Sequence, residues 1–133
     1  KSFSKAEKLG TGTWKLNACP MDGGSIALQE NGTPVTVWTR EKTVYRSSSR
    51  GDETKLANGF QPVVVLSDGS PVIAWSADKS VHAMKEQGPA VVLGGGNYVA
   101  LTCSSKTGAV FAVWEGDAGE PPMLRFSRVE VKR

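Results

Sequence analysis

Gly69-Ser70-Pro71-Val72-Ile73-Ala74-Trp75 joins a tight turn to a short apolar run that ends in a tryptophan. The same pattern stands at Gly32-Thr33-Pro34-Val35-Thr36-Val37-Trp38. It returns, behind a longer turn, at Thr107-Gly108-Ala109-Val110-Phe111-Ala112-Val113-Trp114. Trp38 and Trp75 are 37 residues apart, and Trp75 and Trp114 are 39 apart. A self-similar period of this length marks a repeat architecture, each copy being one supersecondary unit.

A second landmark precedes each copy: Leu9-Gly10-Thr11-Gly12-Thr13-Trp14, Leu56-Ala57-Asn58-Gly59-Phe60-Gln61 and Leu93-Gly94-Gly95-Gly96-Asn97-Tyr98. Each is a strand-ending leucine followed by a glycine-bearing link. With both landmarks fixed, Gly24 to Trp38 aligns without a gap on Gln61 to Trp75. Ile26 and Leu28 then match Val63 and Val65. Asn31-Gly32 matches Asp68-Gly69, both strong hairpin turns. A polar turn follows each tryptophan, then a third strand at Thr43–Ser47, Ser80–Lys85 and Met123–Val129. Fourth strands are expected at Thr54–Leu56 and Ala90–Leu93, and the third copy ends before one. The 15 glycines and 7 prolines fall between these runs, and helical periodicity nowhere outlasts a turn.

The expected fold class is therefore all-β, built from four-stranded antiparallel meanders over 24–56, 61–93 and 97–131, the last lacking its fourth strand. That is the description of β-propeller blades. Residues 1–9 carry Phe3, Ala6 and Leu9, with Lys1, Lys5 and Lys8 blunting an edge, and read as an isolated fourth strand. Three blades cannot close a ring alone. Their unfinished edge and apolar faces call for a partner. The expectation is a homodimer with two-fold symmetry, six blades in all, in which residues 1–9 of each chain complete the partner's last blade.

The 133 residues suit one domain. A net charge of +3, from 16 basic and 13 acidic residues evenly spread, argues against nucleic acid as a partner. No apolar run is long enough to span a membrane as a helix. The chain opens at Lys1, as expected of a processed or trimmed protein. Cys19 and Cys103 are read as two small apolar fillers, with a disulfide in an exported protein as the alternative. They match no metal-site spacing, and His82 is the sole histidine, so neither metal nor cofactor is expected.

Binding in a propeller is expected where fourth strands pass to first strands and second strands to third. Between Trp14 and Gly24 the first copy carries an insertion, Lys15-Leu16-Asn17-Ala18-Cys19-Pro20-Met21-Asp22-Gly23, that the others lack. It mixes apolar Trp14, Leu16 and Met21 with polar Lys15, Asn17 and Asp22, as pockets do. An ordinary loop insertion is the plain alternative. Arg40 shares that face, so the candidate ligand-binding residues are Trp14, Lys15, Asn17, Met21, Asp22 and Arg40. Trp38, Trp75 and Trp114 recur at one place in every copy and read as packing residues. Arg50-Gly51-Asp52 spells an adhesion tripeptide but reads as a surface turn.

The stretch Thr13-Trp14-Lys15-Leu16-Asn17-Ala18-Cys19-Pro20-Met21-Asp22-Gly23-Gly24, followed by a Pro-Val-x-x-Trp strand, resembles bacterial sialidase-like propeller proteins, often labelled exo-α-sialidase or BNR-repeat proteins. The resemblance covers essentially the whole chain, as the C-terminal half of such a protein. It implies a six-bladed propeller, a glycan-type ligand, and export to the periplasm or beyond. Sialidases use a tyrosine polarised by a glutamate, an aspartate as acid and base, and three arginines on the substrate carboxylate. Here only Arg40 falls on the site face, and the Asp-box pattern is reduced to Gly12-Thr13-Trp14. The reading is a non-catalytic, self-assembling module that binds a small or glycan-type ligand. The alternatives are a glycoside hydrolase, with Asp22, Glu41 and Tyr98 as candidate catalytic residues, and a protein-interaction scaffold or a piece of a longer propeller.

Overall fold

The structure, a computed structural model, describes residues 2–13, 23–49, 51–117 and 123–130. Among these the fold is all-β, in three antiparallel sheets. The first is a meander of β1 (Ser25–Leu28), β2 (Pro34–Arg40), β3 (Thr43–Ser47) and β4 (Thr54–Asn58). The second is a meander of β5 (Phe60–Ser67), β6 (Ser70–Ala77), β7 (Ser80–Lys85) and β8 (Val91–Gly95). The third holds β9 (Asn97–Cys103), β10 (Val110–Gly116) and β11 (Met123–Arg128), with β10 in the middle.

The hairpins differ in a way that decides which face is which. Asp68 and Gly69 both have positive φ, 51° and 76°, so they form the mirror-image two-residue turn that suits strand twist. In the first hairpin only Gly32 is left-handed, at φ 79°, and its N–H donates to the Gln29 carbonyl. That is a three-residue loop, Glu30-Asn31-Gly32, closed by a bulge at the glycine. The loop is one residue longer, so the gap-free alignment of the two copies fails in β1. Leu28 stands opposite Pro34 as Leu66 stands opposite Pro71. Ile26 therefore occupies the place of Val64, not Val63. A one-residue shift reverses a strand's faces. Ala27, rather than Ile26, points at the second sheet.

The sheets stack in sequence order. β5 packs against β1 and β2 on one side and against β9 on the other. Neighbouring hairpin tips are tied: Gln29 Nε2 donates to the Gly69 carbonyl at 3.5 Å and Ser67 Oγ to the Gly108 carbonyl at 2.7 Å. Two cores result. Val35, Val37 and Val44 on the back of the first sheet meet Val64, Ile73, Trp75 and Met84 on the front of the second. Val72, Ala74, Val81 and Ala83 on the back of the second meet Val99, Val110, Ala112 and Trp114 on the front of the third. Cys103 carries a free thiol and packs at the margin of this second core, consistent with a small apolar filler.

Two faces of the stack are left open. On the front of the first sheet Ile26 and Leu28 are 60% and 65% exposed. On the back of the third, Leu124 and Phe126 are 77% and 70% exposed. Residues 2–9 belong to no strand in the structure. They lead into Gly10, where an added methyl group would lie 3.0 Å from Trp38 Cζ2. Gly94 stands in the same relation to Trp114, at 3.1 Å from its Cζ2.

Candidate functional site

The edge strands β5 and β9 begin with the same irregularity. Phe60 pairs with Ser76 and Val63 with Ala74, so Gln61 and Pro62 together oppose Trp75. Asn97 pairs with Glu115 and Ala100 with Val113, so Tyr98 and Val99 together oppose Trp114. Each is a bulge, a device that bends a strand and re-aims its side chains. Gln61 and Tyr98 are left-handed, at φ 52° and 58°. For residues other than glycine this costs about 1–3 kcal/mol each and is held only where the surroundings enforce it. The tryptophans supply the enforcement: Trp75 and Trp114 are 2% and 3% exposed. Gly59 and Gly96 run so close over them that a methyl group at Gly59 would meet Trp75 Cδ1 at 2.5 Å, and one at Gly96 would meet Trp114 Cδ1 at 2.7 Å.

The corrected register puts Gly23 and Gly24 where the other copies have Gln61-Pro62 and Tyr98-Val99. Gly24 is confined by the Val37 carbonyl, 2.5 Å from where a Cβ would stand. Between these strand starts lies an open cleft of about 380 Å³, lined by Gly23–Ser25, Gln61–Val63, Tyr98 and Val99. Its three walls are thus one structural position repeated three times. The volume is in the range of small-ligand sites.

Among the described residues, the polar side chains that line the cleft are uncharged. Tyr98 brings a phenol, Gln61 a primary amide and Ser25 a hydroxyl, whose oxygen already accepts the Val64 N–H at 3.2 Å. Gln61 Oε1 is buried without a hydrogen-bond partner among the described residues. So are Ser76 Oγ, beside the β5 bulge, and Thr39 Oγ1, at the same repeat position in the first sheet. Burying such an atom unpaired costs about 1–3 kcal/mol. Among the described residues no three metal-ligating side chains come together.

Of the residues singled out in the sequence, Tyr98 lies in the cleft. Glu41 is exposed in the β2–β3 turn at φ 50°, paired with Lys42 at 58° in a two-residue turn. Arg40 is engaged elsewhere. Its guanidinium lies 4.0 Å from the centroid of the Tyr45 ring, which stacks on Trp38, and holds both oxygens of Glu53 at 2.5 and 3.0 Å. Trp14, Lys15, Asn17, Met21 and Asp22 lie outside the described residues. Both feet of their loop are described. The second foot, Gly23-Gly24, is a wall of the cleft. The first is clasped: Glu53 Oε2 accepts the N–H groups of Thr11 and Gly12, each at 3.1 Å. The Arg40 hydrogen bond, reinforced by these two amides, holds the Glu53 carboxyl down at about 2, and the same bond raises Arg40. Glu53 carries no signal in the sequence, because it acts on partners 41 and 42 residues away.

No protein-family model, no curated protein and no solved structure matches this chain significantly.

Proposed function

We propose that this chain is a non-catalytic, sialidase-like half-propeller. Two copies form a six-bladed ring, and a small, neutral, polyhydroxylated ligand of glycan type binds at the cleft, with the Trp14–Asp22 loop contributing to its binding. The observation that carries this reading is the threefold recurrence of the cleft wall. Three strand starts converge there, two of them bulged at left-handed residues. Strained backbone of that kind concentrates at functional sites. The Gln61 amide, the Tyr98 phenol and the Ser25 hydroxyl, set among Pro62, Val63 and Val99, suit alternating hydroxyl and C–H faces better than a charged ligand.

Isothermal titration calorimetry against a panel of neutral and sialylated oligosaccharides tests the reading. Saturable binding is expected, weakened at least about tenfold, or about 1.4 kcal/mol, in a Tyr98→Ala variant and in a Trp14→Ala/Asp22→Ala double variant. Unchanged affinity in the double variant would remove the loop from the site. Turnover of a fluorogenic sialoside, abolished by Tyr98→Phe, would replace a binding module with a glycoside hydrolase.

A further inference from the structure

We infer that the two open faces are the halves of one interface: the back of the third sheet seats on the front of the first sheet of a second copy, and the second copy's residues 2–9 lie along β11. This rests on the half-ring reading above and specifies which surfaces meet.

The first support is the repetition of the internal joints. Twice in the chain, the back of one sheet covers the front of the next. The combination that the chain does not make with itself is the back of the third sheet with the front of the first. By strand register, Phe111, Val113 and Leu124 occupy the places that Val35, Val37 and Val44 hold on the back of the first sheet. Ile26, Thr36 and Trp38 occupy the places that Val64, Ile73 and Trp75 hold on the front of the second. Where the joint is made, the residues are shut from water: Val44 is 0% and Val64 is 5% exposed. Both open faces thus carry a half-joint of the kind already used twice, and contiguous exposed apolar surface marks association sites. One chain cannot bring its own two halves together, because the second sheet stands between them.

The second support is the linker. In the covered copies, the chain reaches the glycines over Trp75 and Trp114 directly from the fourth strand of the covering sheet, from β4 and β8. Gly10 stands to Trp38 as Gly94 stands to Trp114. Residues 2–9, which lead into Gly10, therefore come from the position of a fourth strand in whatever sheet covers the first. The third sheet has no fourth strand among the described residues, and β11 is its free edge. An unpaired edge takes an added strand through main-chain hydrogen bonds.

A dimer built this way contains the joint twice, related by the two-fold axis. That permits a complementation test. Leu124→Glu spoils only the back half-joint and Ile26→Lys only the front. Both positions are exposed, so each variant is expected to fold; circular dichroism verifies this, and Phe126→Glu or Leu28→Lys replaces any variant that has lost its β signal. Mass is read by light scattering on a sizing column. The parent chain is expected at twice 14.1 kDa and each variant alone at 14.1 kDa. An equimolar mixture of the two variants is expected to return to twice 14.1 kDa, because one of the two joints then joins an intact back to an intact front. A variant that stays dimeric alone, or a mixture that stays monomeric, overturns the assignment of faces while leaving the ring standing. A monomeric parent chain overturns the half-ring reading itself.

Discussion

Trp38 and Trp75 hold the same place in successive sheets and meet different surroundings. Each ends the apolar run of a second strand, and each stacks on a ring across the strand, Trp38 on Tyr45 at 6.0 Å and Trp75 on His82 at 5.6 Å. Trp75 is sealed under Val35, Val37 and Val44, whereas Trp38 is half-buried beneath the Gly10 link, beside exposed Ile26 and Leu28. A repeat writes the same face into every copy, and the chain covers that face only where another sheet precedes it. Exposed apolar residues in an end copy are thus not random surface leucines. They lie on the face that the preceding sheet covers in the second and third copies.

The largest effect expected from this contrast is on stability. Trp75→Ala should cost about 3–5 kcal/mol, the range for a large buried aromatic that leaves a cavity. Trp38→Ala should cost roughly half of that in denaturant titrations at concentrations where the chain is monomeric, since less of its area leaves water. Equal losses at the two positions would erase the difference between covered and open faces. The glycine links give a smaller version of the same test. At Gly96 a methyl group would collide with the Glu115 carbonyl and with Trp114, in backbone at φ 136°. Gly96→Ala is expected to destabilise by about 2 kcal/mol or more, through strain and displacement of the tryptophan. At Gly32 nothing lies within 4 Å, and only the left-handed φ of 79° opposes a side chain. Gly32→Ala should therefore cost about 1–2 kcal/mol.

Much of this fold is legible in the sequence, because its signals are local. Alternation and two-residue turns bound β3 at Thr43–Ser47 and β7 at Ser80–Lys85 as read. The face assignment of β1 is not legible. Asn31-Gly32 and Asp68-Gly69 look alike as dipeptides, but the first places only its glycine in left-handed backbone and the second places both residues there. The single extra residue turns Ile26 and Leu28 outward. The site divides in the same way. Tyr98 can be located because a leucine-glycine landmark announces the strand that it starts. Gln61 cannot be singled out, since nothing in its residue type marks a bulge. Glu53 is invisible, because its partners Arg40, Thr11 and Gly12 are joined to it only by the fold.

That clasp titrates. Its carboxyl is held at about 2, against 4.5 for a free glutamate. The folded clasp thus binds fewer protons than the open one, so its contribution is complete above about pH 4.5 and is lost as the pH falls toward 2. The amide resonances of Thr11 and Gly12 should follow this loss with a midpoint near 2. Those of the hairpin tip at Gly69 should not move with it. A midpoint near 4.5 would mean that Glu53 does not grip the loop's first foot. Glu53→Gln should abolish the transition.

The smallest effect is the most informative about the cleft. Most interior substitutions destabilise, but Gln61 pays twice for its position, with a left-handed backbone and an unpaired buried Oε1. Glycine removes the steric penalty of about 1–2 kcal/mol and the buried amide, and adds about 0.5–1 kcal/mol of chain entropy lost on folding. Gln61→Gly is therefore expected to leave stability unchanged or raise it by up to about 1 kcal/mol. The neighbouring Val64, buried in well-formed core, offers no such relief and should lose stability when truncated to alanine. If the cleft is the binding site, Gln61→Gly should weaken oligosaccharide binding at the same time, so that stability and affinity move in opposite directions. A variant less stable than the parent by more than about 1 kcal/mol would make the bulge a packing device, held by Trp75 for the sake of the core alone.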